Sequence, residues 1–282
     1  MTINKAQVQK NFSQNAITYD QYAVVQKEMA RELFLKIKST GRNFRKILEI
    51  GCGTGFLTEL LASEYPLAQI TAIDIAPEMI VVAREKLAIF SNINYIEADG
   101  EKLKGDNISV DRSFDLIVSN VVFQWFTDYA AAFIQYHSFL EPTGYLIYST
   151  LGAGTFKELY VCLQDGNEGK SSCTLGDHKI HNRRETFIGN RYLQKAMVNA
   201  GFQLAGVEQV IKIEYFNSCR YFLRALKMIG AHNHLTEELA EQGLGSGIFS
   251  LIKKYDARFL DERGVPATYQ CLYGWGQRTD YD

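Results

Sequence analysis

The chain has 282 residues, a formal net charge of −2, and 46% hydrophobic against 22% charged residues. That is the composition of a soluble globular protein with room for one large domain or two small ones. The near-neutral balance gives no bulk affinity for nucleic acid or membrane surfaces, and no apolar run approaches the roughly 20 residues of a membrane span. The opening Met1-Thr-Ile-Asn-Lys-Ala-Gln is polar with no signal-peptide core. Cysteines at 52, 162, 173, 219 and 271 form no CxxC pair and read as free thiols, which predicts a reducing, cytoplasmic setting.

Residues 5–39 read as helix. Tyr22, Val25, Met29, Leu33 and Ile37 recur at three and four residues and make one apolar stripe. Phe12 and Tyr19 come just before it. Periodicity favours docking of both rings on the core; the functional alternative is a lid, and residues 1–40 are set apart on that basis as an N-terminal helical lid.

Lys46-Ile-Leu-Glu-Ile-Gly-Cys-Gly-Thr-Gly-Phe56 follows. Ile47–Ile50 reads as a buried strand, and Phe56, Leu57, Leu60 and Leu61 begin a helix. Between them, Gly51, Gly53 and Gly55 let the chain turn sharply and let a ligand approach the backbone. The helix then points unpaired N–H groups at that ligand, at a strand end where open α/β sheets bind. A dinucleotide loop needs G-x-G-x-x-G, and Phe56 occupies the place of its last glycine. No Lys-Ser/Thr pair follows, so it is not a P-loop. With Glu49 the pattern is E-x-G-x-G-x-G, which resembles the first motif of class I S-adenosylmethionine (SAM) methyltransferases. SAM carries an ammonium, a carboxylate, a sulfonium and a ribose, and an acid beside a glycine turn suits its cationic end. A ligand-free β–α turn is the bland alternative. Cys52 reads as a small packing residue.

The helix after the loop ends near Tyr65-Pro66. Strand two is Gln69–Ile73, with Asp74 at its end. Pro77 opens the next helix, Glu78–Ala88. Strand three is Ile93–Ala98, ended by Asp99-Gly100; strand four is Phe114–Ser119, followed by Asn120. A helix at 129–140 leads through Pro142 and Gly144 to strand five, Tyr145–Thr150. This alternation predicts a parallel sheet with right-handed crossovers. Beyond residue 151 the reading is a helix at 155–164, a polar loop at 165–185, a helix at 190–200 and a strand at Val207–Phe216. Helices at 218–230 and 235–262 precede a last strand, Thr268–Gly276. The expected architecture is a class I SAM methyltransferase (Rossmann-like) α/β fold in one domain, 1–282. Its mostly parallel seven-stranded sheet has an antiparallel last strand. Residues 41–216 form the cofactor-binding core, 217–265 a helical insertion capping the substrate, and 266–282 the last strand.

Three strand ends carry acids. Asp74 is placed to accept both ribose hydroxyls, with Ile75 beside it; helix capping is its bland alternative. Asp99, with Gly100, is placed for the adenine amino group, or is a turn residue. Asn120, after Ser119, would face the methionine end or the transferred methyl. On the acceptor side, Val121-Val-Phe123-Gln124-Trp125-Phe126 either walls the transfer site or packs as core. His232 and His234 cannot share a helical face, so no metal site is expected, and His137 reads as structural. Lys179, His181, Arg183 and Arg184 form a basic patch. Arg220, Arg224 and Lys227 share one helical face, which is either a solvated surface or a landing site for an acidic protein.

Taken together, the chain resembles the malonyl-acyl-carrier-protein O-methyltransferases of biotin synthesis over nearly its whole length. The likeness lies in Phe12, Ala16 and Tyr19-Asp20, the Glu49–Gly55 loop, Phe114–Asn120 with Gln124-Trp125, Leu226–Ala231, and Ala267-Thr268-Tyr269. The resemblance implies a SAM-dependent enzyme that esterifies the free carboxyl of a malonyl thioester on acyl-carrier protein. Tyr19, Phe123, Gln124 and Trp125 would then position substrate, and Arg224 and Lys227 would meet the carrier, its phosphate or the non-attacking oxygen. The rivals are a small-molecule O-methyltransferase acting on a carboxylate or phenol and a non-catalytic SAM-binding protein. Phe56 disfavours a nicotinamide dehydrogenase.

Overall fold

The computed structural model describes residues 3–103, 113–164, 189–231 and 247–279. Cys173, the basic patch at 179–184, His232, His234, the polar loop at 165–185 and the first part of the helix predicted at 235–262 lie outside these residues.

Seven strands form one sheet in the order β3-β2-β1-β4-β5-β7-β6. β1 (Lys46–Ile50), β2 (Gln69–Asp74), β3 (Ile93–Glu97), β4 (Phe114–Asn120) and β5 (Leu140–Leu151) pair parallel. β7 (Val265–Gln277) runs antiparallel to both of its neighbours, β5 and β6 (Gln203–Phe216). The expected mostly parallel sheet with an antiparallel last strand is therefore present. Strand five begins five residues earlier than expected: Phe114 pairs with Leu140, then the register jumps to Leu116 with Tyr145. Thr143, at φ 66°, lies in the skipped segment, an irregularity of the strand beside Pro142.

The apolar strands are buried on both faces, as parallel strands between helices are. Ile47, Leu116 and Val118 face one core, with α2 (Val24–Ser39), α3 (Phe56–Glu64), α6 (Lys157–Gln164), α8 (Cys219–Met228) and α9 (Gly247–Phe259). Leu48, Ile50 and Ile117 face the other, with α5 (Tyr129–Phe139) and α7 (Asn190–Asn199). Adjacent residues alternate between cores because the side-chain period of a strand is two.

The N-terminal region differs from the single helix predicted. α1 (Lys5–Tyr22) and α2 are separate, broken at Ala23, whose ψ is 48°. The break frees the Asp20 carbonyl from the helical ladder, and Lys27 Nζ donates to it at 2.6 Å, replacing the lost partner. The turn sends α2 along the sheet and α1 across the strand tips, where it packs against α8 and α4 (Pro77–Lys86).

Candidate active site

Two cavities lie over the C-terminal ends of the central strands, roofed by α1. The first encloses about 640 Å³ of atom-free space, part of it open to solvent. Gly51, Gly53, Asp74 and Ile75 line one side of it, and Asp99, Gly100 and Asn120 line the rest of the strand tips. A recess that shares Gly51, Gly53 and Asn120 with it reaches Glu49.

Gly53 shows why this loop is glycine-rich. Its φ is +53°, and a Cβ built on it meets nothing within 4 Å, so a side chain there would project into the space the cavity offers a ligand. Gly55 is different. It does not line either cavity; it precedes α3 at φ +83°, and a Cβ there would lie 2.9 Å from Leu87 Cδ1. Its requirement is tight packing of α3 on α4, and the structure does not bring it to the site. Cys52 is buried, its N–H donates to the Ile73 carbonyl, and burial pushes its thiol well above the ordinary range, which fits a packing role.

The acids are held in distinct ways. Asp74 accepts from the Gly53 N–H and from the Ala76 N–H, both at 2.8 Å. It thus pins the loop to the end of β2, while a carboxylate keeps lone pairs for two further donors. Burial raises its pKa to about 6, against the pull of those backbone donors. Glu49 is 1% exposed, and its Oε2 has no hydrogen-bond partner. Burial raises its pKa to about 7 against the pull of the Thr58 hydroxyl, and the Asp74 charge adds a smaller upward push. A buried carboxyl oxygen left without a donor is costly unless a cation or donor arrives. Asp99 accepts from the Glu101 N–H and from Lys5 Nζ, each at 3.0 Å, and Lys5 also pairs with Glu101 at 2.8 Å.

Sequence reasoning missed the polar groups of α1 and α2. Lys5 closes the adenine-side edge that Asp99 was expected to form. At the other end of α1, Asp20 accepts from the Thr54 hydroxyl at 2.9 Å and lies 3.3 Å from Lys27 and 3.5 Å from Lys86. Burial pushes the Asp20 pKa up, but the hydroxyl and the two cations outweigh it and the net direction is down. Lys27 and Gln26 line the recess beside Glu49. Asp20 belonged to the family likeness; Lys5, Gln26 and Lys27 carried no motif. Asn120 donates to the Gln26 carbonyl at 3.0 Å and accepts from Ser149 at 2.6 Å, which ties α2 to the sheet at the site.

The second cavity is mostly apolar. Leu151, Phe156, Leu226 and Ile229 form its walls, with Gln26, Gln124 and Tyr269 among its polar members. Tyr19 and Trp125 line both cavities, so the predicted pair is brought together. Phe123 is not. Its ring is fully buried between Phe126, Tyr136 and Tyr148, because the short 3₁₀ turn Phe123–Trp125 fans its side chains in different directions. Gln124 lines the second cavity, but its amide is engaged: Nε2 donates to the Val121 carbonyl at 2.8 Å and Oε1 accepts from Thr150 at 3.1 Å. Arg220, Arg224 and Lys227 lie on the exposed face of α8, opposite buried Phe222 and Leu226, and line neither cavity. His137 packs edge-on to Phe202 at 5.1 Å, away from both cavities. Among the described residues, no three His, Cys, Asp or Glu side chains gather to hold a metal ion, and no helix is long and apolar enough to cross a membrane.

Residues 47–144 match the family described as "Methyltransferase domain". Among solved structures, the chain resembles the YcgJ protein of Bacillus subtilis at a TM-score of 0.58 and 14% identity, covering 89% of this chain and 99% of that one. It also resembles a Haemonchus contortus phosphoethanolamine N-methyltransferase crystallised with S-adenosylhomocysteine, at a TM-score of 0.53 and 16% identity, covering 89% of this chain and 53% of that one. These two show a shared fold. Sequence relatives are nearer. The malonyl-[acyl-carrier protein] O-methyltransferase of Priestia megaterium is 35% identical across 96% of both chains. That of Bacillus anthracis is 34% identical over the same shares, and that of Acetivibrio thermocellus is 33% identical over 96% of this chain and 93% of its own. Identity at this level over almost the whole length, on a fold whose glycine loop and acidic strand tips surround one cavity, places the chain in the malonyl-[acyl-carrier protein] O-methyltransferase family.

Proposed function

We propose that this chain transfers the methyl group of SAM to the free carboxyl of a malonyl thioester carried on acyl-carrier protein, in the cytoplasm, giving the methyl ester that enters biotin synthesis. The observation that carries the reading is the meeting of a cavity edged by Asp74 and Asp99 with a mostly apolar one, across the shared Tyr19 and Trp125.

The residues fit the cofactor. Asp74 would take the ribose hydroxyls, with Gly51 and Gly53 beneath. Ile75, Asp99 and Gly100 would hold adenine; Glu49 and Asn120 would meet the methionine ammonium, and Lys27 its carboxylate. When bound, SAM supplies a methyl group made electrophilic by its sulfonium. The chain's own work is then to align and to exclude water. A malonyl carboxyl has a pKa of roughly 4 and is already an anion at neutral pH, so no general base is required. That carboxylate contributes the electron pair of the new O–CH₃ bond, the pair of the broken S–CH₃ bond stays on sulfur, and no proton moves. Charge disappears as the bond forms, which an apolar chamber of Phe156, Leu226 and Ile229 favours over the separated ions. Tyr19 and Trp125 would restrict the approach to the aligned one. Arg224 and Lys227 stay clear of the attacking oxygen, and their exposed face suits an acidic carrier protein.

Mass spectrometry of malonyl-carrier protein incubated with enzyme and SAM tests this directly. A carrier species heavier by one methylene, formed faster than from malonyl-CoA or free malonate, is the expected result. Faster turnover of the free acids would favour the small-molecule reading. SAM binding with no acceptor methylated would overturn the proposal.

A further inference from the structure

The two cavities share four lining residues: Phe12, Tyr19, Val121 and Trp125. Phe12 meets Trp125 edge-on at 5.7 Å and Tyr19 at 6.3 Å. Three members of this collar are aromatic, and two of those come from α1. The fourth, Val121, is aliphatic and stands on the sheet side.

Val121 has a backbone no valine adopts readily. Its φ is +56°, in the left-handed region where a β-branched side chain crowds the chain and where glycine or asparagine is the usual occupant. Its surroundings hold it there. The Val121 N–H donates to the Ser149 carbonyl at 3.0 Å and is 3.2 Å from the Ser149 hydroxyl. Its carbonyl accepts from Gln124 Nε2, and that side chain is anchored in turn by Thr150. Strain of this kind persists only where neighbours over-determine it, and it collects at functional sites. A relaxed φ would send the isopropyl group in another direction. The hydrogen bonds that the Val121 backbone donates to Ser149 and accepts from Gln124 keep it in the collar.

We infer that Val121 is a positioning residue for methyl transfer: its strained backbone fixes the isopropyl group as the rigid side of the collar that joins the donor and acceptor chambers. The inference rests on the proposed reading of the two cavities. Displacement at carbon needs the attacking oxygen about 3–3.5 Å from the methyl carbon and in line with its bond to sulfur. A collar closed on the other sides by aromatic rings needs a wall that does not yield, and a β-branched side chain on a pinned backbone supplies it. This also gives Gln124 a purpose: its buried amide keeps Val121 in place.

The test compares Val121→Gly, Val121→Ala and Val121→Thr with the parent chain. Gly and Ala remove the wall while easing or keeping the backbone, and Thr keeps both γ positions. Each protein is loaded with SAM carrying ¹³C in its methyl group. The readouts are the methyl chemical shift, S-adenosylhomocysteine affinity by calorimetry, and single-turnover transfer to malonyl-carrier protein. Gly and Ala should bind S-adenosylhomocysteine as the parent does, move the bound methyl resonance, and slow transfer by about tenfold or more, in kcat and not in KM. Thr should restore both the resonance and the rate. A Val121→Gly protein that transfers at the parent rate, or whose methyl resonance is unmoved, overturns the inference. If the parent leaves the carrier unmethylated while the resonance still moves through the Ala and Gly series, the acceptor assignment fails and the collar stands.

Discussion

Replacing Glu49 with glutamine isolates the cost of burying an acid at the loop. Burial and the Asp74 charge raise the carboxyl from 4.5 to about 7 in the folded chain. The folded pKa lies above the unfolded one. The group's contribution to stability is therefore fully present below about 4.5 and is lost as pH rises through about 7. That difference is worth on the order of 3 kcal/mol, most of which disappears between pH 5 and pH 8. For a chain of this length, that corresponds to roughly 5 °C in Tm. Glutamine has no charge to expose, so the Glu49→Gln protein lacks this term, together with the repulsion between Glu49 and Asp74. Calorimetric scans of the unliganded proteins should show the Tm difference shifting in the variant's favour by roughly 5 °C from pH 5 to pH 8. SAM affinity should rise with pH through about 7 in the parent, as Glu49 ionises to meet the ammonium, and stay nearly flat in the variant. Parallel Tm curves across that range would refute the electrostatic account of the loop.

Asp74→Ala strips the acceptor from the Gly53 and Ala76 N–H groups and from the ribose; SAM affinity by calorimetry should fall by about a hundredfold with the circular dichroism spectrum retained. Unchanged affinity would mean that the donor site is elsewhere. Gln124→Leu leaves the Thr150 hydroxyl and Val121 carbonyl without their partner, and urea unfolding should show a loss of about 1–3 kcal/mol. Arg224→Glu with Lys227→Glu should slow turnover of the carrier-linked substrate most at low salt, with a smaller effect on malonyl-CoA. Equal rates across salt concentrations would end the docking role for this face.

The strands and their acidic tips were legible because an apolar run ending in glycine or an acid is a local pattern, and a parallel sheet repeats it. Gly51, Asp74, Asp99 and Asn120 fall around one cavity for that reason. What was not legible depends on contacts distant in sequence. Ala23 breaks the first helix with no glycine or proline to announce it, since the break is stabilised by Lys27 and by tertiary packing. Lys5 reaches Asp99 across 94 residues. Phe123 and Trp125 are chemically alike and two apart, and only the turn between them decides which ring meets the cavity. The left-handed backbone of Val121 has no sequence signature, because valine is among the last residues one would place there.

The position of β7 has a consequence for how this protein is made. Among the described strands it comes last in sequence, yet it lies between β5 and β6. During synthesis, the long strand β6 has no place on the sheet until residues 265–277 have left the ribosome, and β5 presents a bare edge for the same interval. Until that segment emerges, the nascent chain carries two open strand edges awaiting it, the condition in which wrong pairing with a second chain is easiest. A premature stop within α9 would leave that gap permanent.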